Sequence, residues 1–243
     1  MWLLVFCMSI HDNVAGIRER IAKAAARAGR SVDSITLMGV SKTVETERIR
    51  QAYEAGIRVF GENKVQEFGG KAGLLADLTE AQWHLIGHLQ SNKVKKAVEL
   101  FQAVDSVDSL RLAEKLNQAA EQMNKILPVL IEVNVGSEEN KSGLAPDSSG
   151  LEELLSGVQS LKNLRVRGLM TIPPFTEDPE GARPYFRQLR ELREKIAARK
   201  LPCIEMDVLS MGMSHDFEVA IEEGSTCVRV GTAIFGSRPY PSK

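Results

Sequence analysis

The chain has 243 residues, of which 43% are hydrophobic, and its 31 basic and 32 acidic residues give a formal net charge of −1. This length and this apolar fraction exclude global disorder and suffice for one large α/β domain of roughly 250 residues. The balanced charge gives no broad basic surface for nucleic acid or for an anionic membrane, so we expect neither as a partner.

The first nine residues are predicted to be an extension upstream of the folded domain. The run MWLLVFCM is apolar but far shorter than the ~20 residues that span a bilayer, and it lacks the basic region of a secretory signal. Either Met1 or Met8 is a possible start. The next segment, 10–29, has the apolar spacing of an amphipathic helix that a glycine closes.

Short apolar runs then alternate with helical patterns along the remaining chain. The runs predict eight strands, at 35–40, 57–60, 83–86, 101–104, 128–135, 164–170, 204–209 and 227–230. Helices are predicted at 45–55, from 64, from 92, at 109–123, in a segment that ends near 161, at 181–199 and from 214 onward.

Strict alternation of strand and helix implies parallel strands joined by right-handed crossovers. Eight such units predict a single (β/α)8 TIM barrel over residues 10–238 with an extra N-terminal helix, followed by a tail at 239–243. An open doubly wound sheet is the alternative, but the first strand is not followed by GxGxxG. Since no residues are left for a second domain, we expect a monomer.

Lys42 stands just beyond the first strand, at the end where barrel enzymes carry their reactive groups. Desolvation at such a place lowers the pKa of an ammonium, and a neutral amine attacks aldehydes to give a Schiff base. The alternative is a lysine that extends to the surface and only aids solubility.

Further candidates follow other strands. Glycines after the last two strands let backbone N–H groups approach an anion, and hydroxyls beside them add donors, which predicts a phosphate site. A helix starting at Ser214 would add its N-terminus. The alternative is that these are ordinary turn and capping residues. The candidates are Asn63, His88, Met170, Thr171, Ser210, Gly212, Ser214, Gly231 and Thr232.

Arg229 lies within the last strand between two valines, and strand alternation points it away from both. A buried guanidinium needs a partner, which is a carboxylate or the ring nitrogen of a bound pyridine. An amine, an anion site and a fixed arginine together fit pyridoxal 5′-phosphate, with its aldehyde at Lys42 and its ring nitrogen at Arg229.

The segments ITLMGVSKT, FGENKVQE, WHLIGHLQSNK, EVNVGSEENKSGL, RGLMTIPP and LSMGMSHDFEVAIEEGSTCVRVGTAIFG together resemble the pyridoxal-phosphate homeostasis protein family, single-domain relatives of the alanine racemase N-terminal barrel. The resemblance covers about 10–238. It implies cofactor on Lys42, phosphate contacts from Ser210, Gly212, Gly231 and Thr232, and places Asn63 and His88 near the cofactor. Lys64 stands where the family often has tyrosine.

The resemblance implies control of intracellular pyridoxal phosphate supply without an established turnover, with cofactor-requiring apo-enzymes as possible partners. One alternative is a racemase that uses the same cofactor. Such an enzyme needs a second base, and none of Tyr53, Tyr185 and Tyr240 follows a predicted strand. A second alternative is a lysine-dependent aldolase without cofactor.

The cysteines bear on the cellular compartment. Cys7, Cys203 and Cys227 are odd in number, widely spaced and include no CxxC pair. This pattern argues against a disulfide framework and against a zinc site, and it predicts reduced thiols in a cytoplasmic protein.

Overall fold

The computed structural model describes residues 9–136, 138 and 141–236. The predicted N-terminal extension, apart from residue 9, and the tail at 239–243 lie outside the described residues, as does the choice between Met1 and Met8. No helix in the described part of the chain is long and apolar enough to cross a membrane.

Within the described residues, eight parallel strands close into a barrel in chain order, and the last strand pairs with the first. The prediction of a (β/α)8 TIM barrel is therefore confirmed. The strands are β1 (Thr36–Val40), β2 (Val59–Glu62), β3 (Gln82–Leu85), β4 (Ala103–Val107), β5 (Leu127–Glu132), β6 (Leu164–Met170), β7 (Ile204–Ser210) and β8 (Cys227–Val230).

Helices cover the outside of the barrel. Short 3-10 turns also occur, at Val32–Ser34, Ala72–Leu75, Ser91–Lys93, Val158–Ser160 and Pro179–Ala182. The α-helices of the described residues are α1 (Ile10–Arg27), α2 (Thr46–Glu54), α3 (Val65–Lys71), α4 (Val94–Leu100), α5 (Leu110–Gln122), α6 (Ser149–Gly157), α7 (Arg183–Ala198), α8 (Phe217–Glu222) and α9 (Thr232–Phe235).

The extra N-terminal helix, α1, begins with a capping box. The Ser9 hydroxyl accepts the Asp12 backbone N–H, and the Asp12 carboxylate accepts the Ser9 N–H in return. Its apolar face, which includes Val14, Ile17 and Ile21, is buried. This face packs against α2, α8 and α9, so α1 closes the outer layer where β8 meets β1.

The main core lies between the sheet and the helices. Three aromatic pairs, with ring centroids 4.7–5.0 Å apart, link β2 to β3, α3 to β3, and α3 to the residue that follows α4. The four rings are those of Phe60, Phe68, Trp83 and Phe101, all of which are buried. Packed aromatic pairs of this kind add about 0.5–1.5 kcal/mol each to the burial of apolar area, so they fix the second and third units of the barrel.

The structure corrects several predicted boundaries, and the largest strand corrections are in β4 and β5. β4 continues to Val107, because all five of its residues are buried although Asp105 and Ser106 interrupt the apolar run. β5 ends at Glu132 rather than at 135. The helix predicted from Ser214 begins only at Phe217, because a turn that Asp216 closes by accepting the Met213 N–H comes first.

Candidate functional site

Lys42 lies two residues after the end of β1, at the C-terminal end of the barrel, and borders two adjoining cavities. The larger of the two has a volume of about 340 Å³ and the smaller about 230 Å³. Val40 also borders both cavities. Lys42 is therefore the candidate shared by both spaces, and each of the other lining candidates can be placed by the cavity that it lines.

The larger cavity brings together candidates from four strands. Asn63 follows β2, His88 follows β3 and Arg229 lies in β8, and all three line this cavity with Lys42. The His88 Nδ1 is 3.4 Å from a carboxylate oxygen of Asp108. These strand ends converge because the barrel is closed, as the sequence predicted.

The loops after β2 and β3 touch at a glycine. A Cβ atom on Gly87 would lie 2.4 Å from the carbonyl oxygen of Asn63 and 2.9 Å from its Cα. Only glycine permits this approach of the two backbones. The contact places Asn63 and His88 side by side at the wall of the larger cavity.

The smaller cavity holds the predicted anion-binding residues of the last loop. Gly231 and Thr232 line it together with Lys42 and Arg48. Gly231 precedes the single turn of α9, and the Ala233 N–H above it is 3.4 Å from the Ser214 hydroxyl, its acceptor. Ser214 therefore joins the loops after β7 and β8. Arg48 was not among the candidates, because on its amphipathic helix it resembles any exposed arginine.

Arg229 is 3% exposed and points into the barrel, while its neighbours Val228 and Val230 are fully buried. Its Nη1 donates to the Ser210 hydroxyl and its Nη2 to the Thr171 carbonyl, each at 2.7 Å. Burial lowers the pKa of this guanidinium, and nearby acidic groups, led by Cys227 and Asp105, oppose that shift. These two hydrogen bonds fix the guanidinium beside the larger cavity.

Five of the predicted candidates line neither cavity, namely Met170, Thr171, Ser210, Gly212 and Ser214. Ser210 is fully buried against Arg229, and Met170, also fully buried, lies between Glu132 and Ser210 in the sheet. Gly212 has a φ of +94°, and a Cβ on it would lie 2.5 Å from the Ala220 Cβ. Its carbonyl accepts the Arg229 backbone N–H at 3.0 Å. Ser210 and Gly212 thus hold Arg229 by hydrogen bonds, and Met170 lies beside Ser210 in the sheet.

Glu132 is a cavity residue that the sequence analysis missed. Its side chain lines the larger cavity, the residue is 7% exposed, and its Oε2 has no hydrogen-bond partner among the described residues. Burial first, and then Asp108, raises its pKa to about 7, while Arg229 acts in the opposite direction. The sequence did contain a signal for this residue, because Glu132 is a single acidic residue at the centre of the apolar run 128–135.

A third cavity, of about 490 Å³, lies at the opposite end of the barrel. A His84–Asp105 pair, 3.1 Å apart, lies in its wall, and the residues that line it include no lysine. No group of three or more potential metal-binding side chains occurs in the part of the chain that the structure describes. Of the cavities at the two ends of the barrel, those at the end that holds Lys42 are therefore the ones with lysine in their walls.

The model of the alanine racemase N-terminal domain matches residues 13–239. A pyridoxal phosphate homeostasis protein of Aquifex aeolicus is 48% identical over 233 residues, which cover 96% of this chain and 100% of that protein. The chain belongs to the pyridoxal phosphate homeostasis protein family. The resemblance found from the sequence is thus confirmed.

Two further similar proteins support the assignment of this chain to the pyridoxal phosphate homeostasis protein family. The pyridoxal phosphate homeostasis protein of Pseudomonas aeruginosa is 44% identical, and the match covers 96% of this chain and 97% of that one. The structure of PipY from Synechococcus elongatus with pyridoxal phosphate bound has a TM-score of 0.78 at 38% identity, covering 90% of this chain and all of PipY.

Proposed function

We propose that this protein binds pyridoxal 5′-phosphate as a Schiff base on Lys42 and acts in intracellular pyridoxal phosphate homeostasis. The observation that carries the proposal is the place of Lys42 between two cavities, one with Arg229 and one with Gly231 and Thr232. An aldehyde, a ring nitrogen and a phosphate on one small molecule match these three features. The cofactor seen in the relative PipY supports the same assignment.

Each side chain then has a defined task. The amine of Lys42 forms the covalent bond, and the Thr232 hydroxyl and the backbone at Gly231 bind the phosphate. Arg48, in the wall of the same small cavity, supplies positive charge to that anion. Asn63 and His88 border the ring in the larger cavity.

Arg229 influences whether the ring nitrogen of bound pyridoxal phosphate is protonated. A guanidinium remains protonated and can only donate, so facing the ring nitrogen it prevents protonation there. When bound, pyridoxal phosphate supplies an electrophilic carbon and an electron sink, and the sink is weaker without a ring proton. Ser210 and Gly212 contribute by holding Arg229, and Met170 by filling the layer between Glu132 and Ser210.

Holding the cofactor is favoured over racemisation with a tyrosine as the second base. A racemase needs a second base on the far side of its substrate. Tyr53 and Tyr185, the two tyrosines that the structure describes, line neither of the cavities at Lys42. Reversible storage and delivery needs only the lysine and the binding groups.

Delivery implies a recipient, and we propose apo-enzymes that require pyridoxal phosphate. We further propose that the chain acts as a monomer in the cytoplasm. The two described cysteines, Cys203 and Cys227, are free thiols, which supports a reducing compartment. The molar mass of the purified protein, measured by light scattering with and without cofactor, would test whether it is a monomer.

The test is the visible absorbance of the purified protein with added pyridoxal phosphate. We expect a band that borohydride abolishes, with the reduced cofactor attached to Lys42 by mass spectrometry. Lys42→Ala should lose this band and the exposed-site control Lys162→Ala should keep it. A wild-type protein that stays colourless with excess cofactor would contradict the proposal.

Two outcomes would favour the rival functions. Solvent deuterium that enters the Cα position of added amino acids at enzymatic rates would show a racemase. Borohydride trapping of a keto substrate on Lys42 in colourless protein would show an aldolase that needs no cofactor.

A further inference from the structure

The turn that carries Lys42 has an unusual backbone. The Ser41 carbonyl accepts the Val44 N–H at 3.1 Å, which closes a four-residue turn with Lys42 and Thr43 in the central positions. Thr43 has a φ of +60°, a left-handed conformation that a β-branched residue rarely adopts. Such backbone persists only where surrounding contacts enforce it.

Two side chains of one helix, α3, contact this turn on both sides of Lys42. Before it, the Lys71 Nζ donates to the Ser41 carbonyl at 2.9 Å. After it, the Glu67 carboxylate accepts the Thr43 backbone N–H. Glu67 and Lys71 are four residues apart, so they share one face of α3 and lie 3.5 Å from each other.

The position of Lys71 is secured by a second acid. The Lys71 Nζ is 2.8 Å from an Oε1 oxygen of Glu62, a fully buried residue at the end of β2. The same oxygen accepts the Ser41 hydroxyl at 2.6 Å. A buried ammonium is costly unless it is paired and hydrogen-bonded, and here both conditions are met.

We propose that Glu67 and Lys71 are positioning residues for Lys42. They hold the peptide groups on both sides of it in a strained turn, so that its amine is presented at the junction of the two cavities. This inference deepens the proposed function and rests on it for the identity of the ligand. It also gives the block GENKVQE, at 61–67, a physical role, because it contains Glu62 and Glu67. Together with Lys71, these two glutamates form a clamp on the turn that carries Lys42.

The sharpest test removes Glu67, because its side chain is 28% exposed and its loss leaves the buried Lys71–Glu62 pair intact. Glu67→Ala deletes the acceptor of the Thr43 N–H, whereas Glu67→Gln keeps an oxygen that can accept it. Gln66→Ala, at the exposed neighbouring position on α3, is the matched control. Lys71→Met is a second variant at the other side of the turn.

Two readouts separate positioning from stability. The first is the dissociation constant of pyridoxal phosphate from the absorbance titration. The second uses protein without cofactor: the pH dependence of the acylation of Lys42, followed by mass spectrometry with the exposed Lys162 as internal reference. The second readout needs no ligand, so it tests the clamp even if the proposed function fails.

We expect Glu67→Ala to weaken cofactor binding about tenfold, equivalent to about 1.4 kcal/mol, and to move the acylation profile of Lys42 toward that of Lys162. Glu67→Gln should restore both, and Gln66→Ala should change neither. A folded Glu67→Ala with wild-type affinity and an unmoved Lys42 profile would overturn the inference. So would failure of Glu67→Gln to restore them, or a loss of affinity that only follows a loss of thermal stability.

Discussion

Arg229 in β8 is anchored by Ser210 in the neighbouring β7, whose hydroxyl accepts a hydrogen bond from Nη1 at 2.7 Å. Both residues are buried, so neither can exchange this bond for one with bulk water. The orientation of the guanidinium toward the larger cavity thus depends on a hydroxyl that does not line that cavity.

Ser210→Ala tests this dependence. Loss of the acceptor leaves one buried N–H of Arg229 without its partner, which costs about 1–3 kcal/mol. We expect a lower free energy of unfolding in urea and a shifted absorbance band of the bound cofactor. Ser160→Ala, in an exposed turn, is the control. An unshifted band would show that Arg229 does not need Ser210 to face the ring.

Thr232→Ala tests the anion site in the smaller cavity. A hydrogen bond to a charged phosphate contributes about 1.5–3 kcal/mol, so its loss should raise the dissociation constant of pyridoxal phosphate roughly 10- to 100-fold. Thr36→Ala, at the opposite end of the barrel, should leave it unchanged. An unaltered constant in Thr232→Ala would remove this hydroxyl from the phosphate site.

Glu132 should make stability depend on pH. Its pKa rises from an ordinary value of 4.5 to about 7 in the folded protein, so the native state holds its proton more tightly than the unfolded chain does. Below pH 4.5 the carboxyl is protonated in both the native and the unfolded state. As the pH rises from there through about 7, the free energy of unfolding should fall by roughly 3 kcal/mol.

Glu132→Gln removes this titration, and its free energy of unfolding should change less than that of the wild type between pH 5 and pH 8. Urea unfolding of the cofactor-free protein at both pH values provides the measurement. Glu153→Gln, at an exposed position of α6, serves as the control and should behave as the wild type does. Equal pH dependence in Glu132→Gln and wild type would contradict the assignment.

Gly87→Ala tests the contact between the loops after β2 and β3. The new Cβ would lie 2.4 Å from the Asn63 carbonyl oxygen, and the backbone must move. Such overpacking costs about 1–3 kcal/mol, and here it also displaces Asn63 and His88. We expect a lower melting temperature and weaker cofactor binding. Gly73→Ala, where a Cβ meets no atom within 4 Å, should alter neither.

Much of the fold was predictable because the pattern was repeated eight times. β6 and β8 match their predicted bounds, and the others differ at one or both ends. The largest errors came where polarity and burial disagree, as at Asp105 and Ser106 in β4. Hydropathy cannot show that a carboxylate is buried when its partner, here His84, comes from another strand.

The candidate site was predictable where a residue type and a strand end coincide. Lys42, Asn63, His88, Arg229, Gly231 and Thr232 were all selected in this way, and all line the two cavities. Glu132 was missed because a single acidic residue within a strand looks like a break in the apolar pattern and not like a site residue. Glu67 and Lys71 look like an ordinary pair on a helix surface until the fold places them against the turn at Lys42.

The amino-acid sequence alone determined the class of fold and the position of Lys42 beyond the end of the first strand, because periodicity and strand-end position are local properties. Only the tertiary structure decided which candidates line a cavity and which are buried beneath it. Only the tertiary structure also placed side chains of one helix, α3, against the backbone on both sides of Lys42. Those are distances between segments far apart in the chain, and they are set only when the barrel closes.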